Sequence, residues 1–134
     1  MTKSVYKFNF DQPNQLLENK IEDYGLDFDV YDGLKDCIGF EQEVDGNLQE
    51  ILLIDSNQLE VILSILETCE IKFVYQDITI DVLHSRVSFD DEEFQDQIDE
   101  FVKNNLTLDL ILDKINLYGV KSLTDFEKTF LKLF

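Results

Sequence analysis

Histidine is almost absent from this 134-residue chain, and cysteine, glycine and proline are sparse: one His, two Cys, five Gly and one Pro. Each shortage removes a class of chemistry. His84 stands alone, so neither a Cys–His nucleophile nor a zinc site can be assembled around it, and it reads as a surface or hinge residue at a strand end. Cys37 and Cys69 form no CxxC pair and are expected as reduced thiols, not as a disulfide framework. The scattered glycines match neither a dinucleotide fingerprint nor a P-loop. The opening MTKSVYKFNF has no apolar core of a signal peptide, and no apolar run approaches the roughly 18 residues of a membrane span. A cytoplasmic chain without membrane contact is expected.

Positive charge is also short. Eleven Lys and Arg face 29 Asp and Glu, a formal net charge of −18. Residues 1–84 hold 18 acids and 5 bases, or −13, and residues 85–134 hold 11 and 6, or −5, so the excess is no separate tail. Such a field repels phosphate backbones and anionic membranes, favours basic partners and keeps a protein soluble. The densest acidic run, Asp90 to Glu93, lacks the alternation and central glycine of a calcium loop. It reads as a helix N-terminus capped by Ser88, where the macrodipole favours acids. No metal or cofactor is expected.

What is present is the material of a core: 44% hydrophobic residues, with eleven Phe. Residues 5–10 alternate as a strand. Asp11 is the candidate cap of the next helix, in which Leu17, Ile21 and Tyr24 recur before Gly25. LDFDVY at 26–31 alternates again, followed by a loop around Gly33. Residues 37–44 place Ile38, Phe40 and Val44 on one side and Glu41 and Glu43 on the other. Asp45-Gly46 signals a tight hairpin into a strand at 48–54. Residues 56–68 carry the clearest helical period, with Asn57 and Glu60 at capping-box spacing. Ile71, Phe73 and Tyr75 mark the next strand, which residues 78–83 extend or follow.

The two β-α-β halves echo each other: Phe10-Asp11 then Asn14-Gln15-Leu16, and Ile54-Asp55 then Asn57-Gln58-Leu59. The expected fold is α+β: a ferredoxin-like antiparallel sheet over residues 1–84 with two helices on one face. A C-terminal extension of about three helices, residues 85–134, is expected on the same core. Its helices are marked by Phe94, Ile98, Phe101 and Val102, then by Leu108, Ile111, Leu112 and Ile115 up to Gly119. The last has Thr124 and Glu127 as a capping box and Phe126, Phe130, Leu131 and Phe134 as its apolar face.

Within that extension, Ile111-Leu112-Asp113-Lys114-Ile115, Gly119, Ser122-Leu123-Thr124, Glu127 and Phe130-Leu131 form a pattern of about 25 residues. It resembles the short soluble helix-turn-helix tail of some bacterial rhomboid-type membrane proteins and of small uncharacterised bacterial proteins. The resemblance implies a bacterial origin and a docking role. It implies no protease activity, since no membrane helix or rhomboid catalytic motif accompanies it.

Functionally the chain reads as a non-enzymatic protein-interaction or regulatory module. Alternatives are an acidic inhibitor of the immunity or nucleic-acid-mimic type, and a small-ligand sensor. Strand alternation is expected to bring Lys7, Asn9, Asp27, Asp29, Glu41, Glu43 and Lys72 onto the sheet face away from the helices. That mostly acidic surface lacks the basic and aromatic platform of an RNA-binding sheet. Candidate contacts for a protein partner, a basic one being favoured by the charge, are Asp27, Asp29, Glu41 and Glu43, with Phe126, Phe130 and Phe134 as an apolar stripe.

Overall fold

Alternation in the first ten residues does produce a strand. In the computed structural model, which describes residues 3–25 and 37–134, β1 spans Lys3–Phe10 and sits inside a four-stranded antiparallel sheet. The other strands are β2 (Ile38–Val44), β3 (Asn47–Asp55) and β4 (Phe73–Asp77), in the order β2-β3-β1-β4. Helix α1 (Asn14–Asp23) follows β1, and α2 (Ser56–Thr68) joins β3 to β4. With β1 antiparallel to both β3 and β4, this is the expected ferredoxin-like split β-α-β arrangement. The expected strand at 26–31, with Asp27 and Asp29, and the loop around Gly33 lie outside the described residues.

Both helices bury one stripe against the same side of the sheet. Leu17 and Ile21 of α1 and Ile62 and Leu66 of α2 close a core with Phe8, Phe10, Leu48 and Ile54. Their caps differ from those expected. Helix α2 is capped by Asp55, whose carboxylate accepts from Gln58 N at 2.8 Å while the Gln58 amide oxygen accepts from Asp55 N at 3.0 Å. Asn57 lies already inside the helix, where its backbone cannot take the extended conformation of a cap. At α1 the cap position is Pro13, with no side-chain bond. Asp11 precedes it by too much to reach the first turn, and the fixed φ of Pro13, −72°, sets the start instead. The hairpin turn is as anticipated: Asp45 and Gly46 take φ of 53° and 83°. Gly39 is required too, because a Cβ there would lie 2.9 Å from the Ile51 carbonyl oxygen.

The chain divides into two compact units, Met1–Ile78 and Thr79–Phe134. The division falls ahead of His84 because residues 79–83 do not continue the sheet. They form α3 (Thr79–Leu83), whose buried Thr79, Val82 and Leu83 are spaced i, i+3, i+4, a helical face that strand alternation cannot make. The second unit continues with α4 (Glu92–Asn105), α5 (Leu108–Tyr118), a 3₁₀ turn at Val120–Ser122 and α6 (Asp125–Leu131). Asp91, not Ser88, caps α4, accepting from Phe94 N at 2.8 Å, and Glu92 and Glu93 fill the first turn. Gly119 ends α5 at φ 85°.

The expected capping box of α6 holds, and it does more than cap. Thr124 Oγ1 accepts from Glu127 N at 3.1 Å, and Glu127 Oε1 accepts from Thr124 N at 2.8 Å. The same oxygen accepts from Lys114 Nζ at 2.7 Å, and both ionic side chains are only 1% exposed. Lys114 thus takes a buried place on α5 beside Ile111, while Leu112, expected on the buried face, is exposed. Leu106, Ile111 and Leu123 form the adjoining apolar cluster, against which Ile115, Phe130 and Leu131 pack.

A buried ion pair is costly to break from one side. Lys114→Met should lower the unfolding free energy of the helical unit by about 3–5 kcal/mol, because it strands a desolvated carboxylate. The double variant K114M/E127Q should recover most of that loss, since glutamine still closes the capping box. Urea unfolding followed by far-UV ellipticity compares the two. A K114M loss below about 1 kcal/mol, the range of an exposed pair, would contradict the assignment.

Candidate functional site

The register of β2 decides where its carboxylates point. Val44 stands opposite Asn47, Glu43 opposite Leu48, Glu41 opposite Glu50 and Phe40 opposite Ile51. Opposed residues of an antiparallel pair share a face. Glu41 and Glu43 therefore stand on the side of Leu48, Leu52 and Ile54, the side that carries the helices. The expectation that they lie on the face away from the helices is overturned. The cause lies in the partner strand: Ile38 and Phe40 share a face with Leu53 and Ile51, which are buried with Val5 on the second side. Among the described residues that side is thus no open acidic surface.

What remains polar on the second side is a row of amides. Gln42 Nε2 donates to Gln49 Oε1 at 2.7 Å, and Gln49 Nε2 donates to Asn9 Oδ1 at 2.8 Å, linking β2, β3 and β1. Lys7 shares this face, opposite Gln76. Lys72 is exposed and precedes β4.

On the helix side, like charges converge. Glu41 and Glu50 are directly opposed, and Glu18 of α1 is close enough to act on Glu41. Desolvation raises the Glu41 carboxyl above its ordinary value, and Glu18 adds to the rise. Desolvation also pushes Glu50 up to about 7, helped by Glu41. Among the described residues no cation pairs with this group, and the one ion pair is Lys114–Glu127. Asn14 of α1 donates to Glu18 Oε1 at 3.2 Å, and its own Oδ1 is buried without a partner. The arrangement is electrostatically incomplete, and an ammonium or guanidinium beside it would relieve both the repulsion and the retained proton. Opposed carboxylates of this kind are invisible to residue spacing. Only the pairing register reveals them, and Asp45-Gly46 is the one signal from which it could have been counted.

The expected apolar stripe of the C-terminal helix is not continuous. Phe130 packs on the Leu106–Ile111–Leu123 cluster, while Phe126 and Phe134 are 41% and 73% exposed. The Phe130 and Phe134 rings lie 5.2 Å apart, and Lys103 Nζ sits 5.9 Å from the Phe126 centroid. His84 departs from its expected surface role: it is 2% exposed and neither ring nitrogen has a hydrogen-bond partner. Its ring meets Tyr118 edge-on at 6.2 Å, and the Arg86 guanidinium lies 4.0 Å over the same Tyr118 ring. No disulfide joins Cys37 and Cys69; both belong to the sheet–helix core, and burial pushes the Cys69 thiol up.

Among the described residues no group of His, Cys, Asp or Glu is placed to hold a metal ion, and no helix is long and apolar enough to cross a membrane. Comparison with protein-family models, curated proteins and solved structures finds no match to this chain.

Glu50 yields a pH-dependence of stability. Its folded-state value, about 7, lies above the ordinary 4.5, so the fold retains the proton. The stabilising contribution is full below about pH 4.5 and is lost as pH rises through about 7. Glu50→Gln cannot titrate. It should exceed the parent in stability by about 1–3 kcal/mol at pH 8, shrinking to less than about 1 kcal/mol near pH 5. Urea midpoints of both proteins across that range measure it; a gain independent of pH would contradict the assignment.

Proposed function

We propose that this chain is a non-enzymatic acidic interaction or regulatory module of the bacterial cytoplasm, and that a basic protein docks on its β2 edge. The observation that carries the reading is the cluster of Glu18, Glu41 and Glu50 beside exposed Glu43, with no cation paired to it among the described residues. Opposed like charges on a sheet cost stability. A sequence selected for folding alone has no reason to keep Glu opposite Glu where one Lys would turn repulsion into attraction. A binding surface for cationic side chains supplies that reason. The net charge of −18 adds long-range attraction for a basic protein and opposes nucleic acid and anionic membranes as partners. The likeness of the Ile111–Leu131 region to bacterial helix-turn-helix tails supports the bacterial origin and a docking role.

The charge reversal Glu41→Lys separates stability from binding. Opposite Glu50 it replaces a repulsive cross-strand pair by an attractive one, a gain of about 0.2–1 kcal/mol in stability. The same change should weaken binding of an oligolysine peptide, and E41K/E43K should weaken it further, by about tenfold at 0.1 M salt, mostly through the association rate. Calorimetric titration and thermal unfolding of the same samples test this. A well-folded E41K/E43K that binds the peptide as tightly as the parent would move the binding surface off β2.

A further inference from the structure

The two edges of the sheet are unlike. At the β2 edge, Glu41 and Glu43 bar approach by another acidic chain. At the other edge β4 offers Phe73, Val74, Tyr75 and Gln76, a run with no charge in a chain of −18, between Lys72 and Asp77. Its backbone polarity follows from one bond. Ile78 N donates to Val5 O at 2.9 Å, so Val5 and Ile78 are a hydrogen-bonded pair, and in the same register so are Lys7 with Gln76 and Asn9 with Val74. The N–H and C=O groups of Phe73 and Tyr75 then point away from β1, toward an edge that no other described strand pairs with. Val74 is 70% exposed, the most exposed apolar side chain of the sheet.

We propose that β4 is a self-association edge, at which two copies of this chain pair antiparallel about a twofold axis at Val74 and join their sheets. In that register Val74 of one copy faces Val74 of the other as a non-hydrogen-bonded pair, with side chains in close apposition. Phe73 faces the second copy's Tyr75 as a hydrogen-bonded pair, and the reverse, giving four backbone bonds. That pairing extends an aromatic row already present: Phe73 and Tyr75 lie 6.2 Å apart, and each stands beside Phe8, at 6.0 and 5.3 Å. Charge selects the occupant. The neutral strip offers nothing to a basic partner, whose attraction lies at β2. An antiparallel second copy is self-complementary, since each Lys72 comes level with the other's Gln76–Asp77 end. Pairing buries the exposed Val74 and supplies the edge groups with partners.

This inference stands apart from the β2 reading, and salt distinguishes the two. Two copies repel through their net charge, so self-association should strengthen as the Debye length falls from about 10 Å at 0.1 M to about 3 Å at 1 M salt, whereas oligolysine binding should weaken. Sedimentation equilibrium of the full chain should show a monomer–dimer exchange that 1 M salt shifts toward dimer. V74K should remain monomeric at every concentration, with the melting temperature that the parent shows when diluted to monomer. Mild oxidation of V74C should give a disulfide-linked dimer, and Q76C should not. The proposal is overturned by a parent that stays monomeric at both salt concentrations, by a V74K that dimerises like the parent, or by equal cross-linking of V74C and Q76C. The V74C result decides the matter if V74K does not fold.

Discussion

With Asp45 and Gly46 both at positive φ, the β2–β3 hairpin closes over two residues, and Val44 must stand opposite Asn47. Every later pairing in the strand is then set. Glu41 is brought to Glu50, Phe40 to Ile51 and Ile38 to Leu53. A shift by one residue would move the whole set to the other face, taking half-buried Phe40 and Ile38 away from Ile51 and Leu53 and turning Glu41 away from Glu50, so the turn and the packing of those side chains fix the register that opposes the two carboxylates. The acidic edge and the second apolar face are two outcomes of one turn. Helix α1 completes the first by placing Glu18 within electrostatic reach of Glu41, and desolvation does the rest, holding Glu50 near neutrality.

The helical unit is organised differently, around charge and not turn geometry. Glu127 closes a capping box and a buried ion pair with a single oxygen, tying the start of α6 to the middle of α5. Desolvating two ions gains little net stability over an apolar pair of the same shape, but it restricts how the helices can meet, because any other packing leaves a charge unpaired. Ile111, Lys114, Leu123, Thr124 and Glu127 form this junction and its apolar surround.

Much of the architecture was legible because it rests on periods. Leu59, Ile62, Leu63 and Leu66 recur at helical spacing, and α2 spans the residues they mark. Gly25, Gly46 and Gly119 stand at positive φ where the chain turns or stops. Caps were less legible, since Asp55 and Asn57, or Asp91 and Ser88, satisfy the same chemical preference, and only the backbone conformation chooses between them. The site was least legible. Alternation correctly separates Glu41 and Glu43 from Phe40, but it cannot say which side the helices occupy. Here both sides carry apolar residues, so counting hydrophobes gives no answer. Lys114 and His84 illustrate the same limit: each is polar in a chain rich in exposed polar groups, and their burial follows from tertiary placement that no local pattern encodes.

Among the described residues Glu18, Glu41 and Glu50 form a surface that a positive charge beside it would relieve. A carboxyl that retains its proton near neutrality acts as a reporter of such a charge, because a cation placed beside it lowers its affinity for the proton. Binding of a basic partner at the β2 edge must therefore expel protons, whereas binding to any ordinary acidic surface, already ionised, does not. Calorimetric titration of the intact chain with oligolysine at pH 7, repeated in buffers of different ionisation enthalpy, measures this directly. The account predicts net proton release on binding that disappears in Glu50→Gln. Binding without proton release, or release unchanged in that variant, would contradict it.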